Sequence, residues 1–130
     1  MTGFWTGRYW YDAPSEPVVS FLANIDDAGG ALSGSISEPN TISRSSQRLE
    51  SFIRGTRDGF SVAFAKVYDG SADLAHRVDY AGELAHDGLS VSGRWILEGW
   101  TGGFEMARQS VAEIEDEAKA EQAAAITMQP

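Results

Sequence analysis

Glu38 and Lys66 are the residues of this chain whose type and setting most invite chemistry. Each stands in phase with the apolar residues of a short alternating segment: Glu38 with Leu32 and Ile36, Lys66 with Val62 and Phe64. A period of two puts such residues on one face of a strand, so the acid and the base point where the apolar side chains point. Tyr11, Tyr68, Tyr80 and Trp95 share that phase in their own segments, and Trp100 lies in a short connection between two of them. Aromatic walls carrying a few placed polar groups are the composition of a small-molecule pocket. A second reading lets Glu38 and Lys66 reach water at a rim on their aliphatic stems, while the tyrosines fill an interior. A third uses the pair as acid and base, which requires each to be poised to exchange a proton with a substrate.

Other chemistries have little support. The chain has no cysteine, so disulfides, thiolate metal sites and cysteine nucleophiles are excluded. His86 lies in an Asp-Gly turn and reads as a turn residue. His76 shares a loop with Asp69 and Asp73 and reads as part of a solvated cluster. The two histidines fall at opposite ends of the strand pattern and cannot share a metal. No phosphate loop, dinucleotide fingerprint or nucleophile elbow is present, and no cofactor or metal is expected.

The elements that must position these residues are eight alternating segments between Phe4 and Arg108. They run over residues 4–11, 18–25, 31–38, 48–54, 60–68, 77–84, 89–98 and 103–108. Aromatic and β-branched residues fill them, and Gly, Pro, Asn and Asp bound them. The turns 27–30, 57–59 and 86–88 are tight and carry glycine. Those at 12–17, 39–47 and 69–76 are longer, and 98–102 is short but carries Trp100. Tight and long turns alternate, as they do in an up-and-down barrel. The expected fold is therefore all-β: an eight-stranded antiparallel up-and-down barrel, which leaves no unpaired edge. Strand direction then sorts the inward side chains by height. Trp5, Ile25, Leu32, Ile53, Val62, Leu84, Val91 and Arg108 share the tight-turn end. Tyr11, Glu38, Lys66, Tyr68 and Leu97 share the long-loop end. Trp10, Phe52 and Ile96 face outward, which makes the barrel wall a candidate subunit interface.

The 130 residues form one barrel domain over 1–108 and an acidic helix and tail over 109–130. Ser110 and Glu113 form a capping box, followed by a thin apolar stripe of Val111, Ile114, Ala118 and Ala125. That helix is expected to lie on the wall, pair with another copy, or fray. With 19 acids against 10 bases, the formal charge is −9. Such a balance disfavours nucleic acid and anionic membrane surfaces as partners. A soluble, cytoplasmic protein is the expectation.

The Gly3-x-Trp5 head of the first segment, with Arg108 at the end of the last, resembles the calycin superfamily. Strand count and chain length are most similar to its avidin and streptavidin branch. The resemblance implies that Trp5 plugs the barrel base beneath the basic residue. It also implies that residues 39–47 stand where that branch has its mobile lid, and that Trp100 stands near its loop tryptophan. Thr6 to Tyr11 occupy the stretch where avidins place the asparagine and serine that hold biotin, so no biotin site is carried over. The leading expectation is a non-catalytic barrel binding a small, partly apolar molecule at the long-loop end. Tyr11, Glu38, Lys66, Tyr68, Tyr80 and Trp95 would line the site, with Trp100 above it. The alternatives are a protein- or peptide-interaction module with a packed interior, and a small barrel enzyme using Glu38 and Lys66.

Overall fold

The computed structural model describes residues 1–39, 48–68 and 77–110. Eight strands follow one another: β1 (Gly3–Tyr11), β2 (Val19–Ala28), β3 (Ala31–Pro39), β4 (Arg48–Asp58), β5 (Ser61–Tyr68), β6 (Val78–Leu84), β7 (Ser90–Leu97) and β8 (Trp100–Arg108). Each pairs antiparallel with the next, and β8 returns to pair with β1, closing the barrel. The closing register sets Trp5 opposite Arg108, Tyr9 opposite Phe104 and Tyr11 opposite Gly102.

Alternation decides which side chains fill the interior. On β2 the residues from Val19 to Ile25 alternate strictly between buried and exposed. Trp5, Phe21, Ile25, Leu32, Ile36, Ile53, Phe64, Val91, Phe104 and Met106 are all buried inward. Each such large side chain contributes about 1.5–3 kcal/mol by leaving water. The outward assignments of Phe52 and Ile96 also hold, at 59% and 60% exposed.

Two details differ from the pattern read in the sequence. β4 extends to Asp58, because Asp58 still pairs with Ser61 across the two-residue turn Gly59–Phe60. β8 begins at Trp100, because Leu97 and Trp100 pair and leave only Glu98 and Gly99 in the turn. Arg108 ends β8 at the barrel's base, exposed to solvent but on the same face of the wall as Trp5, its partner in the closing pair. It stays level with Trp5, and a side chain at Gly3 would meet its guanidinium, with Nε 3.0 Å from the added Cβ. Trp5 is fully buried beneath this base, its indole N–H donating to the Met1 carbonyl at 3.0 Å.

The tight-turn end is held by a clasp. The Asp27 carboxylate accepts from Arg57 Nε at 2.6 Å, from the Gly30 N–H at 2.8 Å and from the Met1 ammonium at 3.2 Å. Gly29 and Gly30 both take positive φ, 62° and 98°, which lets β2 turn into β3 within two residues. Phe60 and His86 stack at 4.6 Å at the same end. The 39–47 lid, the 69–76 loop with Asp69, Asp73 and His76, and the helix expected after Ser110 fall on or extend into residues outside those described.

Candidate functional site

Four strands carry the polar centre of the barrel. Inward phase on β3 and β5 brings Glu38 and Lys66 into the same layer, where Lys66 Nζ donates to Glu38 Oε1 at 3.0 Å. Tyr9 on β1 reaches across the interior and donates its hydroxyl to Glu38 Oε2 at 2.5 Å. The ammonium also lies 4.9 Å from the Tyr9 ring centre and 5.5 Å from that of Tyr80 on β6. Aromatic faces attract a cation, more strongly where water is excluded. Glu38 and Lys66 are 2% and 1% exposed, so they form a buried pair and do not reach water at a rim. Beside them Ser51 is buried and its hydroxyl donates to the Ile36 carbonyl at 3.3 Å. Among the described residues no buried side-chain nitrogen or oxygen lacks a partner.

An aromatic lip stands next to this centre on the long-connection side. Tyr11 meets Trp95 edge-on at 4.9 Å and Trp100 edge-on at 5.6 Å, and Trp95 meets Tyr9 at 6.0 Å. Edge-to-face contacts at these spacings place the positive ring edge against the negative ring face. Trp95 is fixed further by its indole N–H, which donates to the Trp10 carbonyl at 3.1 Å. The close approach needs the Gly102–Gly103 pair. A side chain at Gly102 would meet the Trp95 ring at 2.7 Å, and one at Gly103 would meet the Trp10 ring at 2.5 Å. Two tryptophans therefore pack on opposite faces of one point in β8. Tyr11 and Leu97 are partly buried, and Trp100 remains 46% exposed.

A latch ties the lip to the first connection. Asp12 accepts from Arg94 and, at 2.5 Å, from the Thr101 hydroxyl, and its N–H donates to the Thr101 carbonyl at 3.0 Å. The Arg94 hydrogen bond first, and that of Thr101 second, hold the Asp12 carboxyl below its ordinary range. Partial burial, then the charge of Glu16, push the Tyr11 hydroxyl above its ordinary value, with Lys66 acting in the opposite sense. Burial pushes Tyr80 up much further, reinforced by Glu38 and Tyr11. Both phenols are therefore neutral at physiological pH.

Of the side chains named from the sequence, Glu38, Lys66 and Tyr80 meet in one buried layer, while Tyr11, Trp95 and Trp100 form the lip beside it. Tyr68 ends β5 opposite Ser51, and its side chain lies outside the described part. Tyr80 lies against Phe64 with ring centres 4.8 Å apart and planes 10° apart, and against the edge of Phe104 at 5.1 Å. It is a packed core residue facing the polar centre. The expected site omitted Tyr9, Ser51 and the Asp12–Arg94–Thr101 latch. A period of two puts Tyr9 in phase with Trp5 and Tyr11, and only the barrel's stagger brings it level with Glu38.

No family model matches the chain, and no curated protein matches it. Among solved structures, a redesigned β-barrel superposes with a TM-score of 0.66 over 84% of this chain and 91% of its own, at 12% identity. At that identity the likeness concerns the fold alone. The chain is an all-β protein whose eight antiparallel strands close into one barrel.

Proposed function

We propose that this chain is a calycin-like barrel that binds a small, partly apolar molecule at its long-connection end, without chemistry. The observation that carries the proposal is the buried Tyr9–Glu38–Lys66 network beside a partly exposed aromatic lip. An interior built only for stability gains little from such a pair, since well-packed apolar residues do as well or better. A ligand would lay its apolar part against Tyr11, Leu97 and Trp100. Its polar group would face the layer of Glu38, Lys66 and Tyr80, with Trp95 as the wall and Tyr68 at the end of β5. The calycin reading is supported by Trp5 at the base, level with Arg108, whose guanidinium crosses Gly3.

The test is fluorescence titration with 1-anilinonaphthalene-8-sulfonate, a small amphipathic probe. Saturable binding with energy transfer from tryptophan is expected. It should weaken at least tenfold in Tyr11→Ala/Trp100→Ala, a loss of about 1.4 kcal/mol. It should be unchanged in Phe60→Ala at the opposite end. Binding that ignores the lip substitutions would overturn the site.

A second reading, an interaction module with a packed interior, is favoured by the Phe64–Tyr80–Phe104 stack and by the large apolar side chains left on the outer wall. Under that reading the lip substitutions leave probe binding untouched.

A further inference from the structure

The outer wall over β5 and β6 is a trough with a small-residue floor. Ala63 and Ala65 on β5 and Ala81 on β6 form that floor. Phe52 and Arg54 on β4 bound one side, and Arg94 and Ile96 on β7 the other. Two clefts of about 590 and 400 Å³ meet there and share Arg54, Ala65 and Arg77. Strands lie about 4.8 Å apart, so β4 and β7 stand roughly 14 Å apart around the wall. That matches an α-helix, which is about 10–12 Å across with its side chains. Alanines let a helix approach the sheet closely, while Phe52 and Ile96 offer it apolar flanks.

The charge of the trough runs against that of the molecule. In a chain of net charge −9, three arginines line the two clefts. Asp79, the one acid among the described residues lining them, is already held by Arg77 at 3.1 Å. Arg94 spends one N–H group on Asp12 and keeps further donors, and Arg54 has no ion-pair or hydrogen-bond partner among the described residues.

We infer that the trough is the docking site of the chain's own C-terminal segment, residues 111–126. That segment is acidic at Glu113, Glu115, Asp116, Glu117 and Glu121, with one base, Lys119, and it carries the apolar stripe from Val111 to Ala125. It starts close by. β8 hands over to Gln109 at the barrel's base, and the Arg108 N–H bonds the Leu89 carbonyl at 2.9 Å, beside the start of β7. From there only β7 separates the segment from the trough, and the outward residues at the lower part of β7 are the small Ser90 and Ser92. A helix of about 15 residues spans about 23 Å, and the trough's midline lies about 12 Å around the wall from β8. Tethering raises the segment's local concentration to the millimolar range, so weak arginine–carboxylate contacts suffice to hold it.

The chain's lack of cysteine makes the test direct. A nitroxide on Ala118→Cys of the full chain should erase the amide signals of Ala63, Ala65 and Ala81. Those of Gly7, Leu22 and Ser35 on other parts of the wall should persist. In Arg54→Glu/Arg94→Glu, or in about 1 M salt where screening shortens to about 3 Å, the signals should return. The barrel's remaining spectrum reports that the variant is folded. Three results would overturn the inference: no broadening at the three alanines, stronger broadening on the β1–β8 wall, or broadening seen only between a labelled copy and a separate isotope-enriched copy. The last would assign the trough to a dimer instead.

Discussion

Lys66 is the residue on which the interior turns. Its ammonium is out of water, bonded to Glu38 at 3.0 Å and faced by the rings of Tyr9 and Tyr80. A buried pair broken on one side leaves an uncompensated charge, whereas replacing both members with apolar residues of similar size does not. Lys66→Met and Glu38→Leu should therefore each lose about 3–5 kcal/mol of stability in urea unfolding, and the double variant should recover most of it. Additive losses would show that the two do not act as a pair. The period of two made both residues legible as inward. It could not give their partner, because Tyr9 and Glu38 lie 29 positions apart on strands joined through β2, and their meeting depends on the stagger of closure.

At the scale of elements, the hairpins at the base are joined by charge as well as by backbone. Asp27 in the β2–β3 hairpin is held at about 2, below its ordinary 3.8, first by Arg57 from the end of β4 and also by the Gly30 N–H. A carboxyl that ionises more readily when folded stabilises the fold above its unfolded value. That contribution is lost as pH falls from about 4 to about 2. Asp27→Asn should lower stability by about 1 kcal/mol at neutral pH, since Arg57 is partly open to water. It should also flatten the acid limb across that window in denaturation midpoints measured against pH. An unchanged acid limb would rule out the clasp. Asp27 was legible in the sequence only as a turn residue and Arg57 only as its counterpart in another turn. Their pairing needs β3 and β4 to run level between them. The extra length of β4 and β8 was hidden similarly, because Asp58 and Trp100 carry turn-like neighbours yet still find ladder partners.

For the whole molecule, closure was legible because eight alternating segments of similar length leave no edge to protect, and β8 does pair with β1. Function was less so, since a barrel of this shape is shared by a redesigned protein at 12% identity. What separates the two ends here is chemistry. The base is apolar around Trp5 and tied by Asp27, while the other end sets a buried ion pair beside a partly exposed aromatic lip. The most direct measurement of that asymmetry is an amide chemical-shift map of the full chain titrated with 1-anilinonaphthalene-8-sulfonate. The account predicts saturable shifts at Tyr11, Glu38, Lys66, Leu97 and Trp100, with Trp5, Ile25 and Val91 unmoved. Shifts centred on the base or the outer wall, with the lip silent, would contradict it.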